Sequence, residues 1–131
     1  MKNRLQVEER PLNIYEQNVL LPILVNALKI KKGRKNAVKS KQIIEGLHSH
    51  GLKIKEKQVH RIINHIRMND IVVGLMGSSV GYYIIDSELD FINYEDGLMK
   101  RETALRNVRI CIERQRKSKF TECLCKQKQV F

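Results

Sequence analysis

The stretch KEKQVHRIINHIRMNDIVVGLMGSSVGYYII, residues 55–85, changes period half-way along. Val59, Ile62, Ile63 and Ile66 fall at i, i+3, i+4 and i+7, which sets four branched apolar side chains on one helical face. A helix is therefore expected over about 55–69. Beyond it, IVVG at 71–74 and YYII at 82–85 are β-formers joined by a Gly/Ser turn, so a hairpin is expected there. A chain that sends an amphipathic helix straight into a hairpin has few ways to build one core.

The residues upstream supply the rest of that core. Asn13-Ile-Tyr-Glu16 fits a capping box, with Asn13 as cap and Glu16 reaching back. Pro22 is costly inside a helix but welcome in a first turn, so a short helical segment over 14–20 and a fresh helix over about 21–31 are expected. Ile23, Leu24, Ala27, Leu28 and Ile30 would form its buried face. Residues 31–41, KKGRKNAVKSK, make a basic loop in which Val38 is the one large apolar residue and a candidate strand contact. A second helix runs from Lys39 or Ser40 to His50, buries Ile43, Ile44 and Leu47, and stops at Gly51. Two helices joined by a short Gly-containing turn form a helix-turn-helix pattern.

The order helix, helix, turn, helix, hairpin over about residues 20–86 resembles winged-helix domains. The features that carry the resemblance are SKQIIEGLHSHGLKIKEKQVHRIINHIRMNDIVVG and SSVGYYII, in a cadence similar to small phage- or prophage-encoded winged-helix proteins. The resemblance implies a mainly α fold with a small β-hairpin, the winged helix at 21–86 flanked by an extension at 1–20, a helical arm at 87–118 and a basic tail at 119–131. It also implies binding to double-stranded DNA in the cytoplasm of a bacterial or phage-infected cell. The third helix would lie in the major groove, with Lys57, Gln58, Arg61, Asn64 and His65 toward the bases and Ser78 and Ser79 of the wing toward the backbone. A transcriptional regulator or a replication accessory factor fits that picture. The third helix departs from the pattern by opening on Lys55 rather than Ser or Thr, and the wing tip carries no Arg or Lys.

Charge supports a polyanionic partner independently. Twenty-five Lys and Arg against 14 acidic residues give a net charge of +11, more than solubility requires. Lys31, Lys32, Arg34, Lys35, Lys39 and Lys41 suit phosphate, because such contacts give affinity and position without sequence choice. On the third helix, Arg can bind guanine bidentately and Asn or Gln can pair with adenine; His60, nearer the flank, is expected to be structural. RNA shares the charge argument, but aromatic residues are only 5% of the chain and no set of base-stacking platforms is evident.

Residues 86–97 hold five acids and no base, and 100–128 hold ten bases against three acids. Leu98, Leu105, Val108 and Ile112 lie near heptad spacing and are candidates for pairing with a twin. Packing back on the winged domain, or ordering on nucleic acid, are the other readings of this arm. Gly97 is a candidate kink, and Phe120, Leu124, Val130 and Phe131 are candidate anchors for a partner. The arm also motivates a different class of function, a structural or adaptor protein of a phage or virion whose winged helix and arm mediate assembly with a phage protein partner.

Chemistry-bearing motifs are few. There is no P-loop spacing and no HExxH, so an enzyme is not expected. His48 and His50 stand two apart and His60 and His65 five apart, poor spacings for one helical metal site, and no cofactor is expected. Cys111, Cys123 and Cys125, an odd set late in the chain, indicate free thiols in a reducing compartment. No apolar run approaches the ~20 residues that span a bilayer, so no membrane partner is expected.

Overall fold

The computed structural model describes residues 11–126, with side chains through Thr121. The expectations for residues 1–10 and for the side chains of Cys123, Leu124, Cys125, Val130 and Phe131 lie outside the described residues. The fold is mainly helical, with one two-stranded antiparallel hairpin and a long C-terminal helix. It divides into two units at Ser87/Glu88.

The first unit opens on the capping box. The Glu16 N–H donates to Asn13 Oδ1 at 2.8 Å and the Asn13 N–H donates to Glu16 Oε1 at 2.9 Å. A π-helical stretch, Glu16–Leu20, then runs without a break into α1 (Leu21–Leu28). The expected interruption before Pro22 is absent because the wider π turn absorbs it. Leu21 donates to the Glu16 carbonyl five residues back, just where a proline removes a donor and crowds the preceding turn. The buried face also differs from expectation. Leu20, Leu21, Leu24 and Leu28 are buried, Ile23 and Ile30 are exposed, and α1 ends at Leu28 rather than near residue 31. With Glu16 and Leu20 fully buried, the packed unit begins well before residue 21.

Helices α2 (Ser40–Ser49) and α3 (Glu56–Met68) open on the same device. Gln42 accepts the Lys39 N–H at 2.8 Å and Gln58 accepts the Lys55 N–H at 2.9 Å. Lysine has no acceptor, so each is only the returning half of a capping box. Both helices end in the same way as well. Past α2, Gly51 takes φ 75° and Leu52 donates to the Leu47 carbonyl at 2.9 Å. Past α3, Asp70 takes φ 54° and Ile71 donates to the Ile66 carbonyl at 3.0 Å. These are Schellman closures, one built on glycine and one on a residue that must tolerate the left-handed region. The core joins Leu20, Leu24 and Leu28 to Ile43 and Leu47 and to Val59, Ile62, Ile63 and Ile66, the α3 stripe as expected.

The hairpin is shifted from its expected place. Strand β1 is Leu75–Ser78 and β2 is Gly81–Ile84, with Leu75 opposite Ile84 and Ser78 opposite Gly81. Ile71–Gly74 is the connection that leads into β1: Val72 fills the core, Val73 stays exposed, and Gly74 at φ 88° turns the chain. The basic loop then adds to the sheet. Val38 and Tyr82 exchange backbone bonds at 2.9 and 2.7 Å, while Ile84 donates to Lys31 at 2.8 Å and accepts from Gly33 at 2.9 Å. Gly81 is where this third segment crosses. A Cβ there would lie 2.5 Å from the Val38 carbonyl oxygen, and φ is 117°.

The second unit is a single helix, α4 (Glu88–Lys126), 39 residues long. Gly97 does not break it, and it continues beyond residue 118, where the arm was expected to end. Among the described residues no helix is long and apolar enough to cross a membrane.

Candidate nucleic-acid interface

One side of α3 is core and the other is open. Val59, Ile62, Ile63 and Ile66 anchor the helix, so its residues at one-turn intervals on the far side face water. Lys57, His60, Asn64 and Met68 are the exposed line. Of the five residues expected toward bases, Lys57 and Asn64 stand on it, while Gln58, Arg61 and His65 are half-buried on the flanks.

Two of those three have other work. Gln58 Oε1 is held by the Lys55 N–H as the helix cap. Arg61 holds an ion pair within the fold. Its Nη1 donates to Glu16 Oε2 at 2.7 Å, and the Glu16 side chain is fully buried. The other carboxylate oxygen accepts the Asn13 N–H, so the ion pair ties the N-terminal cap to α3 across 45 residues of sequence. A buried carboxylate without a countercharge is strongly unfavourable, which commits this guanidinium to the fold. His65 lies beside Asn69, whose Nδ2 donates to the His65 carbonyl at 2.8 Å and closes the end of α3.

His60, expected to be structural, is instead exposed and lines a cleft of about 520 Å³. Lys39 lines it together with Ser40 and Lys41 of the first turn of α2, α3 contributes Glu56 and His60, and the end of β1 with the turn after it contributes Ser78 and Ser79. Four of the residues expected toward the backbone, Lys39, Lys41, Ser78 and Ser79, are thus brought together. The signal for His60 was available in the helical period: it stands three residues after Lys57 and four before Asn64, on the side away from Ile62 and Ile66. The Ser78 hydroxyl accepts the Val80 N–H at 3.2 Å and shapes the turn, while Ser79 is exposed at the tip.

The other expected phosphate ligands lie along the basic loop. Lys32, Arg34 and Lys35 are exposed and Lys31 is half-buried. Gly33 at φ 81° starts a short 3-10 turn, Arg34–Asn36, and Asn36 Nδ2 donates to the Lys32 carbonyl at 2.7 Å. With Lys31, Gly33 and Val38 bonded to β2, these cations ride on a braced segment. Among the described residues no group of three or more His, Cys, Asp or Glu is arranged to hold a metal ion.

Comparison with known protein families, with curated proteins and with solved structures finds no match to this chain.

Proposed function

We propose that the first unit is a winged-helix domain that binds double-stranded DNA with sequence preference, α3 entering the major groove and the β1–β2 turn lying against the backbone. The observation that carries this reading is the open line Lys57, His60, Asn64 beside a cleft lined with Lys39, Lys41, Ser78 and Ser79. Asn64 can pair with adenine through its amide, and Lys57 can donate to guanine. Glu56, at the same cleft, repels phosphate and can accept from a cytosine amine. Lys32, Arg34 and Lys35 supply the sequence-independent attraction. A regulator or replication accessory factor is the role that such a reader would serve.

The test is fluorescence anisotropy of random and selected duplexes across a salt series. Asn64→Ala is expected to cost about 1–3 kcal/mol on the preferred duplex and to relax the preference. Lys35→Ala is expected to weaken all duplexes alike and to lower the salt slope by about 1. Binding that is indifferent to salt and sequence would overturn the reading. The exposed apolar residues of α4 favour a second reading, an assembly or adaptor role, which then becomes the better account.

A further inference from the structure

We propose that α4 pairs with α4 of a second copy as an antiparallel two-helix coil, with its two-fold axis at Thr103. The proposal does not rest on DNA binding. Phe91, Leu98, Leu105 and Ile112 recur every seven residues along α4, and Val108 lies on the adjoining line. Leu98 is 44% exposed, Leu105 70%, Val108 58% and Ile112 56%. A row at heptad spacing is the seam that coiled coils bury.

Charge decides what covers it. The residues four places after Phe91, Leu98, Leu105 and Ile112 are Glu95, Glu102, Arg109 and Arg116. They flank the seam, acids first and bases second. When two copies run in opposite directions, Glu95 of each faces Arg116 of the other, and Glu102 faces Arg109. When they run in the same direction, this flank meets the Asp90, Gly97, Ala104, Cys111 row instead. That arrangement sets Asp90 against Glu95 and offers the arginines no carboxylate. The wider charge agrees, because 86–97 is purely acidic and 100–119 is strongly basic. Only reversal lays acid on base. An order that complements itself on reversal points to a second copy of this chain rather than to an unrelated partner.

The same register explains further residues. It layers Leu98 on Val108, and it brings Ala104 close to its counterpart at the axis. Gly97, Ala104 and Cys111 are small, so on that flank the two backbones can approach closely. Arg101 falls in the seam beside Leu105; its stem can pack while its head reaches water. In the single chain its Nε donates to the Gly97 carbonyl at 3.4 Å. A polar seam residue of this kind fixes register at some cost in stability. Glu102 also contacts Arg106 within its own helix at 3.4 Å. That pair is exposed and weak, and it leaves one carboxylate oxygen for Arg109.

Sedimentation of the full chain without DNA tests the pairing. The wild type is expected at twice the chain mass. Glu95→Arg with Glu102→Arg makes the flank wholly basic, and Arg109→Glu with Arg116→Glu makes it wholly acidic. Each double variant alone is expected to dissociate at least tenfold more readily. Mixing the two is expected to restore the dimer, as is combining all four changes in one chain. A wild type that stays monomeric, double variants that pair as well as wild type, or a four-fold variant that stays monomeric would each overturn the proposal. Direction is read by crosslinking with Cys123→Ser and Cys125→Ser in the background. Gly97→Cys is expected to form a disulfide with Cys111 of the other copy. Efficient linking of Cys111 to Cys111 would reject the antiparallel direction.

Discussion

Leu24 and Leu105 are both leucines in helices, yet one is 2% exposed and the other 70%. The contrast holds for the units around them. In the first unit a contiguous cluster of apolar residues is buried, α2 and α3 share the same half capping box and the same Schellman closure, and among the described residues the one fully buried charge is paired. In α4 nearly every described side chain faces solvent. Core burial therefore explains the stability of the first unit and does not explain that of α4. A helix of this length has ample hydrogen bonds of its own, but in water the rest of its stability must come from packing against something.

The sharpest way to break this comparison is to make the same kind of truncation in both units. Ile62→Ala, at a fully buried site, is expected to cost about 4 kcal/mol in chemical denaturation of the first unit. Leu105→Ala is expected to leave that transition within about 0.5 kcal/mol. Equal losses would mean that the two units do not stand apart. Next in size is Arg61→Ala, expected to cost about 3 kcal/mol by stranding the Glu16 carboxylate. DNA binding by the folded fraction should then change little; a selective loss of sequence preference at unchanged stability would return Arg61 to the reading face. Gly81→Ala is expected to cost about 2 kcal/mol through backbone strain and contact with Val38. Hydrogen exchange should quicken at Val38 and Tyr82 first, and uniform quickening across α3 would argue against a local effect. A smaller change has the opposite sign. Asp70→Gly relieves a left-handed φ and removes an acid from a helix C-terminus, so a gain of about 0.5–1 kcal/mol in thermal unfolding is expected.

Local signals were legible where one short-range cause dominates. The α3 stripe, the stop at Gly51 and the Asn13–Glu16 cap each depend on residues a few positions apart, and the structure has all three. The misplacements arise where distant residues compete. Ile71–Val73 are more β-prone than Leu75–Ser78, but the turn after α3 takes the first set and pairing with β2 takes the second. Pro22 looks like a helix start from its neighbours, and only the π turn reveals that the chain can pass through it. Arg61 has the chemistry of a base reader and a place on the helix flank that permits it. Nothing near it in sequence announces Glu16, which reaches it only when the first helix packs. The exposed line of α3 was half legible, since periodicity fixes which side is buried and leaves the flanks to be assigned by partners.

The bridging of Lys31, Gly33 and Val38 to β2 has a consequence for what the hairpin refuses to do. A strand with one free side is a template on which another chain can extend a sheet. Here β2 has β1 on one side and the basic loop on the other, so neither of its sides is open to a newcomer. The remaining rim, β1, is four residues long and contains Gly77, a poor template for strand addition. The lysine-rich segment is thus also a guard rail, closing the route to sheet-by-sheet aggregation for a protein whose other unit displays a long apolar row.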